Sequence, residues 1–172
     1  ITRAEGRERV LTTLRFLLDS PQGTEPAGVI GHNGLFYHFL DMETGHRFAT
    51  VELSTIDTAL LMAGVIFCAQ YFVGPDPGET EIRALADSLY RRVDWAWTMD
   101  VENNRISMGW HPESGQIEYD WHGYNEAMIL LILALGPPTH PADPSTWDTY
   151  TSTYSWGDYY NQEHAGFAPM FG

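Results

Sequence analysis

Hydrophobic and polar positions along this chain of 172 residues fall into two kinds of segment that take turns. Over residues 2–19, Val10, Leu11, Leu14, Leu17 and Leu18 recur at helical spacing, with Arg7, Glu8, Arg9 and Arg15 opposite them. That pattern predicts a half-exposed helix, stopped by Ser20-Pro21. Residues 55–72 differ. From Ala59 to Ala69 the run is apolar on every side, as in a buried helix, until Gly74-Pro75-Asp76-Pro77-Gly78 turns the chain. Glu79 to Val93 is amphipathic again, with Ile82, Leu85, Ala86, Leu89 and Val93 on one face. Ala127 to Leu135 is apolar all round and ends at Gly136-Pro137-Pro138, and a last short helix after Pro144 is anchored by Trp147 and Tyr150.

Non-helical stretches separate these segments. Phe36 to Leu40, the turn Asp41 to Gly45, and His46 to Phe48 predict a small hairpin, a loop excursion and not the start of a large sheet. Ile106 to Trp110 and Ile117 to Trp121 predict a second, around the turn His111 to Gly115. The tail from Trp156 to Gly172 is aromatic and Gly-rich, without periodicity. Alternating amphipathic and apolar helices are what a double ring produces, with inner helices shielded and outer ones half exposed. A closed ring of helical hairpins needs about twelve helices and about five are legible, so the inner helices are expected to lie open on one side.

Composition narrows the function. A net charge of −14, with nine Arg and no Lys, argues against nucleic acid and against anionic lipid as partners. No stretch approaches the roughly 18 apolar residues of a membrane span, and the first residues show no signal-peptide arrangement. The single cysteine, Cys68, lies in an apolar run and reads as a small buried hydrophobe. Six Trp and nine Tyr leave two uses open, an aromatic core or a platform for sugar rings.

Two carboxylates stand at the mouths of the apolar helices. Ser54-x-x-Asp57 matches a helix-capping pattern, and Asn125-Glu126 does much the same before Ala127. Either acid is therefore explicable as a cap. Inner helices of a ring run parallel, however, so Asp57 and Glu126 would share one mouth, as acid–base work on a glycosidic bond requires. Glu52, on the loop above Asp57, is a third catalytic candidate. Trp110, Trp121 and Tyr124 are the candidate sugar contacts, with His122 as a polar pocket residue. The seven His are scattered, without HExxH or Cys partners, and no nucleotide-binding glycine motif or nucleophile elbow occurs, so neither metal nor cofactor is expected.

Several motifs form an ordered series. They are Gly34-Leu35-Phe36-Tyr37-His38-Phe39-Leu40, Glu52 to Leu60, Val93-Asp94-Trp95, Met108-Gly109-Trp110, Gly123-Tyr124-Asn125-Glu126-Ala127, and Trp156 to Tyr160 continuing through Gly166-Phe167-Ala168-Pro169. This series resembles the bacterial glucoamylase-like (glycoamylase) domain, a family that includes the endo-β-1,2-glucanases of glycoside hydrolase family 144. The resemblance implies an all-α (α/α)6 toroid, of which residues 1–172 are the N-terminal part of a single domain with small hairpins in its loops. It implies hydrolysis of β-1,2-glucan by inversion between two carboxylates without a metal, with glucan transfer or a non-catalytic carbohydrate-binding fragment as alternatives. Among the matching acids it adds Asp158 and Glu163 as outer substrate contacts. It also implies a second polypeptide or a further C-terminal half completing the ring, and a periplasmic or secreted location.

Overall fold

In a computed structural model that describes residues 1–160 and 162–166, helix α1 spans Arg3–Asp19. A capping box starts it: the Thr2 side chain accepts from Glu5 N–H and the Glu5 carboxylate accepts from Thr2 N–H. Helix α2 is Thr55–Tyr71, α3 is Pro77–Arg92, α4 is Ala127–Leu135 and α5 is Thr146–Thr151. Helix α2 packs against α3 on one side and α4 on another, while α1 packs against α3. That is the neighbour pattern of a double ring, with α2 and α4 inside and α1 and α3 outside. Glu79, buried at the start of α3, takes a bidentate contact from Arg3 at 2.7 and 2.9 Å and a hydrogen bond from Gly74 N–H, tying α1 to the α2–α3 turn.

The apolar character of α2 does not bury it all round. Leu60 (49% exposed), Phe67 (69%) and Tyr71 (52%) line one open side, as does Ile132 (55%) on α4. Arg3 of α1 lies over the Tyr71 ring at 4.8 Å, and Leu60 borders a hollow shared with α1. An open side is what a partial ring leaves.

The sheet content corrects the all-α expectation. Strands β1 (Gly31–His32) and β2 (Leu35–Tyr37) form a hairpin through Asn33-Gly34, both at positive φ. Gly34 is required there twice over, since a Cβ would also lie 2.4 Å from the Arg92 carbonyl oxygen. Strand β3 (Leu53–Ser54) pairs antiparallel with β2, and chain reversals elsewhere supply β4 (Met99–Asp100), β5 (Arg105–Ile106), β6 (Gly109–His111) and β7 (Gly115–Gln116). The two predicted excursions then merge, because β3 pairs with β6 as well, giving one sheet in the order β1-β2-β3-β6-β7. The first predicted hairpin is held by the Leu40–Arg47 bridge and the hydrogen bond from Phe48 N–H to the Phe39 carbonyl. The second runs its expected length, with β6 paired to β7 around the turn, Ser107 opposite Asp120, and Trp121 N–H donating to the Ile106 carbonyl. The tail, expected to be patternless, forms a hairpin of β8 (Ser155–Tyr159) and β9 (Gln162–Gly166). Phe167-Ala168-Pro169 lies outside the described residues.

Strand register sorts the sheet's side chains. Residues opposite one another in an antiparallel pair share a face. Phe36, Ser54 and Gly109 therefore lie on one face, continued by His38 and Glu52, and Tyr37, Leu53 and Trp110 on the other. The sheet feeds directly into α2, and Trp121 ties it to the approach of α4: its Nε1–H donates to Thr55 Oγ1 at 3.0 Å, while that hydroxyl donates to the Ser107 carbonyl. Trp121, six residues before α4 begins, thus lies against the entry of α2.

Candidate active site

Ser54 caps α2 in fact, its Oγ accepting from Asp57 N–H at 3.2 Å. The same hydroxyl donates to Asp57 Oδ2 at 2.5 Å, so Asp57 turns back over the helix mouth without reaching the Ser54 backbone N–H of a full capping box. Because β2 and β3 pair, His38 comes to lie beside both acids. Its Nδ1 is 2.6 Å from Glu52 Oε1 and its Nε2 is 3.5 Å from Asp57 Oδ2. Burial works to raise the Glu52 pKa, but hydrogen bonds from its own N–H and from His38, with the charges of His38 and His111, hold it below the ordinary carboxylate value. Asp57 and Glu52 keep 43% and 30% of their side chains open to solvent.

Glu126 occupies the N-cap position of α4 and is exposed, with no capping hydrogen bond of its own. The capping is done by Asn125, whose Oδ1 accepts from Ala127 N–H at 3.0 Å and from the Tyr150 hydroxyl at 3.0 Å. Burial pushes the Tyr150 hydroxyl up to about 12, so it stays a donor throughout. Asn125 Nδ2–H in turn donates to the His122 carbonyl. A locked Asn therefore frees the neighbouring Glu for other work. Tyr124 is 40% exposed and meets Tyr154 edge-on at 5.4 Å, and the His122 side chain is exposed beside it.

Other expected contacts lie elsewhere. Trp121 is 5% exposed and spends its indole N–H on Thr55, so it braces the α4 approach and offers no free face. Trp110 stands on the sheet face opposite Glu52, stacked on His32 at 5.4 Å and edge-on to Trp97 at 5.5 Å. Asp158 and Glu163 face each other across the β8–β9 hairpin, both exposed. His38 and Phe39 went unmarked as site residues. Phe39 is 57% exposed, stacks on His38 at 4.2 Å, and with Met42 and Phe48 lines an apolar hollow of about 810 Å³. Among the described residues no group of three or more His, Cys, Asp or Glu is placed to hold a metal ion.

A second acidic pair behaves differently. Burial, then the charge of Asp100, raises the Asp120 pKa from 3.8 to about 6. The folded state thus binds a proton that the unfolded chain releases, so stability falls as pH rises from about 4 to 6 and stays reduced above. The full shift would correspond to ~3 kcal/mol, and the group's exposure screens this to ~1 kcal/mol. Asp120→Asn is expected to raise the urea midpoint at pH 8, with the gain vanishing near pH 4. A midpoint unchanged at pH 8 would contradict the raised pKa.

Comparison with known proteins bears on the fold that carries these residues. The Glycoamylase family model, described as "Putative glucoamylase", matches residues 118–172, which include the Gly123 to Ala127 motif. The exo beta-1,2-glucooligosaccharide sophorohydrolase (non-reducing end) of Parabacteroides distasonis is 28% identical over 171 residues, 95% of this chain and 22% of that protein. Among solved structures, the endo-beta-1,2-glucanase of Chitinophaga pinensis, in complex with sophorotriose and glucose, superposes with a TM-score of 0.80 at 23% identity, over all of this chain and 41% of that one. The chain thus spans well under half the length of these relatives. It is similar to the glucoamylase-like family, in fold along its whole length and at residues 118–172 in the family's own sequence model. The fold it shares is part of a glucanase toroid, with the five-stranded sheet as a constituent.

Proposed function

We propose that this chain, glucoamylase-like in fold and sequence, is the N-terminal part of a glycoside hydrolase acting on β-1,2-glucan. The observation that carries the reading is the solvent-open pair Asp57 and Glu52, gathered by His38 at the mouth of α2, and the segment leading to Glu126 is tied to that mouth through Trp121 and Thr55. The 28% identity to a sophorohydrolase over 95% of the chain supports the substrate class. In this reading Asp57 and Glu126 flank the scissile bond. One carboxyl group protonates the glycosidic oxygen, and the other, ionised, takes a proton from the water that attacks the anomeric carbon from the opposite face, inverting it. Tyr124 and His122 line the approach to Glu126, and the Trp110, Asp158 and Glu163 positions serve more distant sugar units. The open sides of α2 and α4 are covered by a further half-ring, in the same polypeptide or in a second one. A glucan substrate places the protein in the periplasm or outside the cell.

The test is the release of reducing ends from linear β-1,2-glucan by the full-length polypeptide, with the first-formed anomer read by NMR. Inverted product confirms the reading. For the chain by itself, the exposed Leu60, Phe67 and Ile132 favour a second reading, a half-ring that binds glucan without turning it over. Glucan binding without reducing ends, in the full-length protein, would establish that reading instead. An unsaturated product absorbing in the ultraviolet would point to a lyase.

A further inference from the structure

His38 is the one imidazole placed, among the described contacts, with both ring nitrogens against carboxylates. Its Nδ1 approaches Glu52 Oε1 at 2.6 Å, a full hydrogen bond, and its Nε2 faces Asp57 Oδ2 at 3.5 Å. The strand pairing fixes both ends of the first contact, because His38 N–H also donates to the Glu52 carbonyl at 2.9 Å. Phe39 stacks on the ring and limits its rotation. On the far side, Ser54 holds Asp57 Oδ2 toward the imidazole.

A neutral imidazole carries one hydrogen. The short contact to a carboxylate whose pKa is held low requires that hydrogen on Nδ1. The Nε2 lone pair is then directed at Asp57. A carboxylate that orients a histidine, whose second nitrogen exchanges a proton with the working group, is the logic of a catalytic triad carried to another chemistry. We infer that Glu52, His38 and Asp57 form one proton-handling unit, in which Glu52 is a positioning residue that fixes the ring tautomer and His38 passes a proton between its Nε2 and Asp57 Oδ2. This rests on the reading of Asp57 as a reacting carboxyl group. It moves Glu52 from a catalytic role to a supporting one. The step balances: Asp57 gives its proton to the leaving oxygen, and the proton that the attacking water leaves on Glu126 passes to solvent. The part-exposed His38 then takes up a solvent proton at Nε2 and hands it to Asp57 Oδ2, returning to the neutral Nδ1–H form. Around the trio stand Ser54 on β3 and α2, Phe39 beyond β2, and His111 on β6, whose charge acts on Glu52.

The tautomer is measurable without substrate. In the ¹⁵N-labelled chain, long-range ¹H–¹⁵N correlations of the imidazole rings are recorded at a pH where the ring signals no longer move. The His38 signals are assigned by their loss in His38→Asn. The expected result is hydrogen on Nδ1 and a bare Nε2, unchanged in Asp57→Asn and reversed in Glu52→Ala. Hydrogen on Nε2 in the unsubstituted chain overturns the inference, as does a tautomer that Glu52→Ala leaves alone. If Glu52→Ala does not fold, the unsubstituted and Asp57→Asn spectra decide alone. In the full-length polypeptide, His38→Asn is expected to lower kcat at least tenfold with KM within about threefold, and the double variant with Glu52→Ala to lose no more than the worse single one. Additive losses would separate the two residues and dissolve the unit. Absence of any glucan turnover tells against the proposed function and leaves the tautomer result readable.

Discussion

The expected result of Asp57→Asn is a loss of β-1,2-glucan turnover of at least about 100-fold, in a protein that still folds and still binds the polymer. The amide matches the carboxylate in size, and the helix cap survives because Ser54 Oγ accepts from the backbone N–H of residue 57. What disappears is a titratable oxygen at a helix mouth, partly open to solvent and 3.5 Å from an imidazole. As a first-turn acid, Asp57 contributes only about 0.3–1 kcal/mol to the helix, so the melting point moves by a few degrees at most. A catalytic role and a capping role therefore separate cleanly in one variant. Kinetics of reducing-end release on the full-length polypeptide give the first quantity and glucan affinity electrophoresis the second. A loss below tenfold would leave Asp57 as a cap partner, and Glu126→Gln, whose parent residue makes no cap bond, provides the matched comparison.

Much of this arrangement can be read from the sequence, and the unread part has a physical cause. Helices α1 and α3 announce themselves by a sustained 3.6-residue period, and α2 and α4 by long apolar runs closed by Gly and Pro. The alternation of half-apolar with wholly apolar helices also carries the ring order. The hairpin that holds β6 and β7 is legible from its turn, but the joining of the strands into one sheet is not. Its strands are two or three residues long, too short to display a period of two, and β3 reaches β6 only after two helices have intervened. One local signal was there, Asn33-Gly34, the residue pair a two-residue hairpin turn favours. His38 follows from the same blind spot. It stands beside Glu52 and Asp57 through strand pairing, which residue spacing does not encode. Trp121 errs in the other direction: a tryptophan between Asp120 and His122 looks like a loop residue, yet its indole N–H finds Thr55 and the ring is buried with it.

The same pairing makes Arg47 a residue on which several segments of the fold depend. Its side chain is fully buried, and it reaches three separate segments. Nε–H donates to the Val51 carbonyl at 2.8 Å, and Nη1 donates to the Pro26 carbonyl at 3.1 Å. Both Nη groups grip Glu113, in the β6–β7 turn, at 2.6 and 3.0 Å, and the guanidinium lies 4.7 Å from the Tyr37 ring centre. Arg47→Ala leaves two carbonyls without their donor and opens a void under the strap that carries His38 at one end and Glu52 at the other. Glu113 is itself 44% exposed and can turn to water, so the cost is that of two carbonyls left without donors and of lost packing. That amounts to about 2–4 kcal/mol, against about 0–1 kcal/mol for a surface pair such as Arg15–Glu81, where both partners are nearly half exposed. Urea unfolding of Arg47→Ala and Arg15→Ala tests the difference directly. Arg47→Lys recovers only part of the loss, because an ammonium cannot hold the two Glu113 oxygens and two carbonyls at once. The strap also links stability to chemistry. Once Arg47 is gone, the 2.6 Å contact between His38 and Glu52 rests on the β2–β3 pairing alone, so it loosens even in the fraction that remains folded. Equal unfolding midpoints for the Arg47→Ala and Arg15→Ala chains would show that the strap is held by its backbone hydrogen bonds alone.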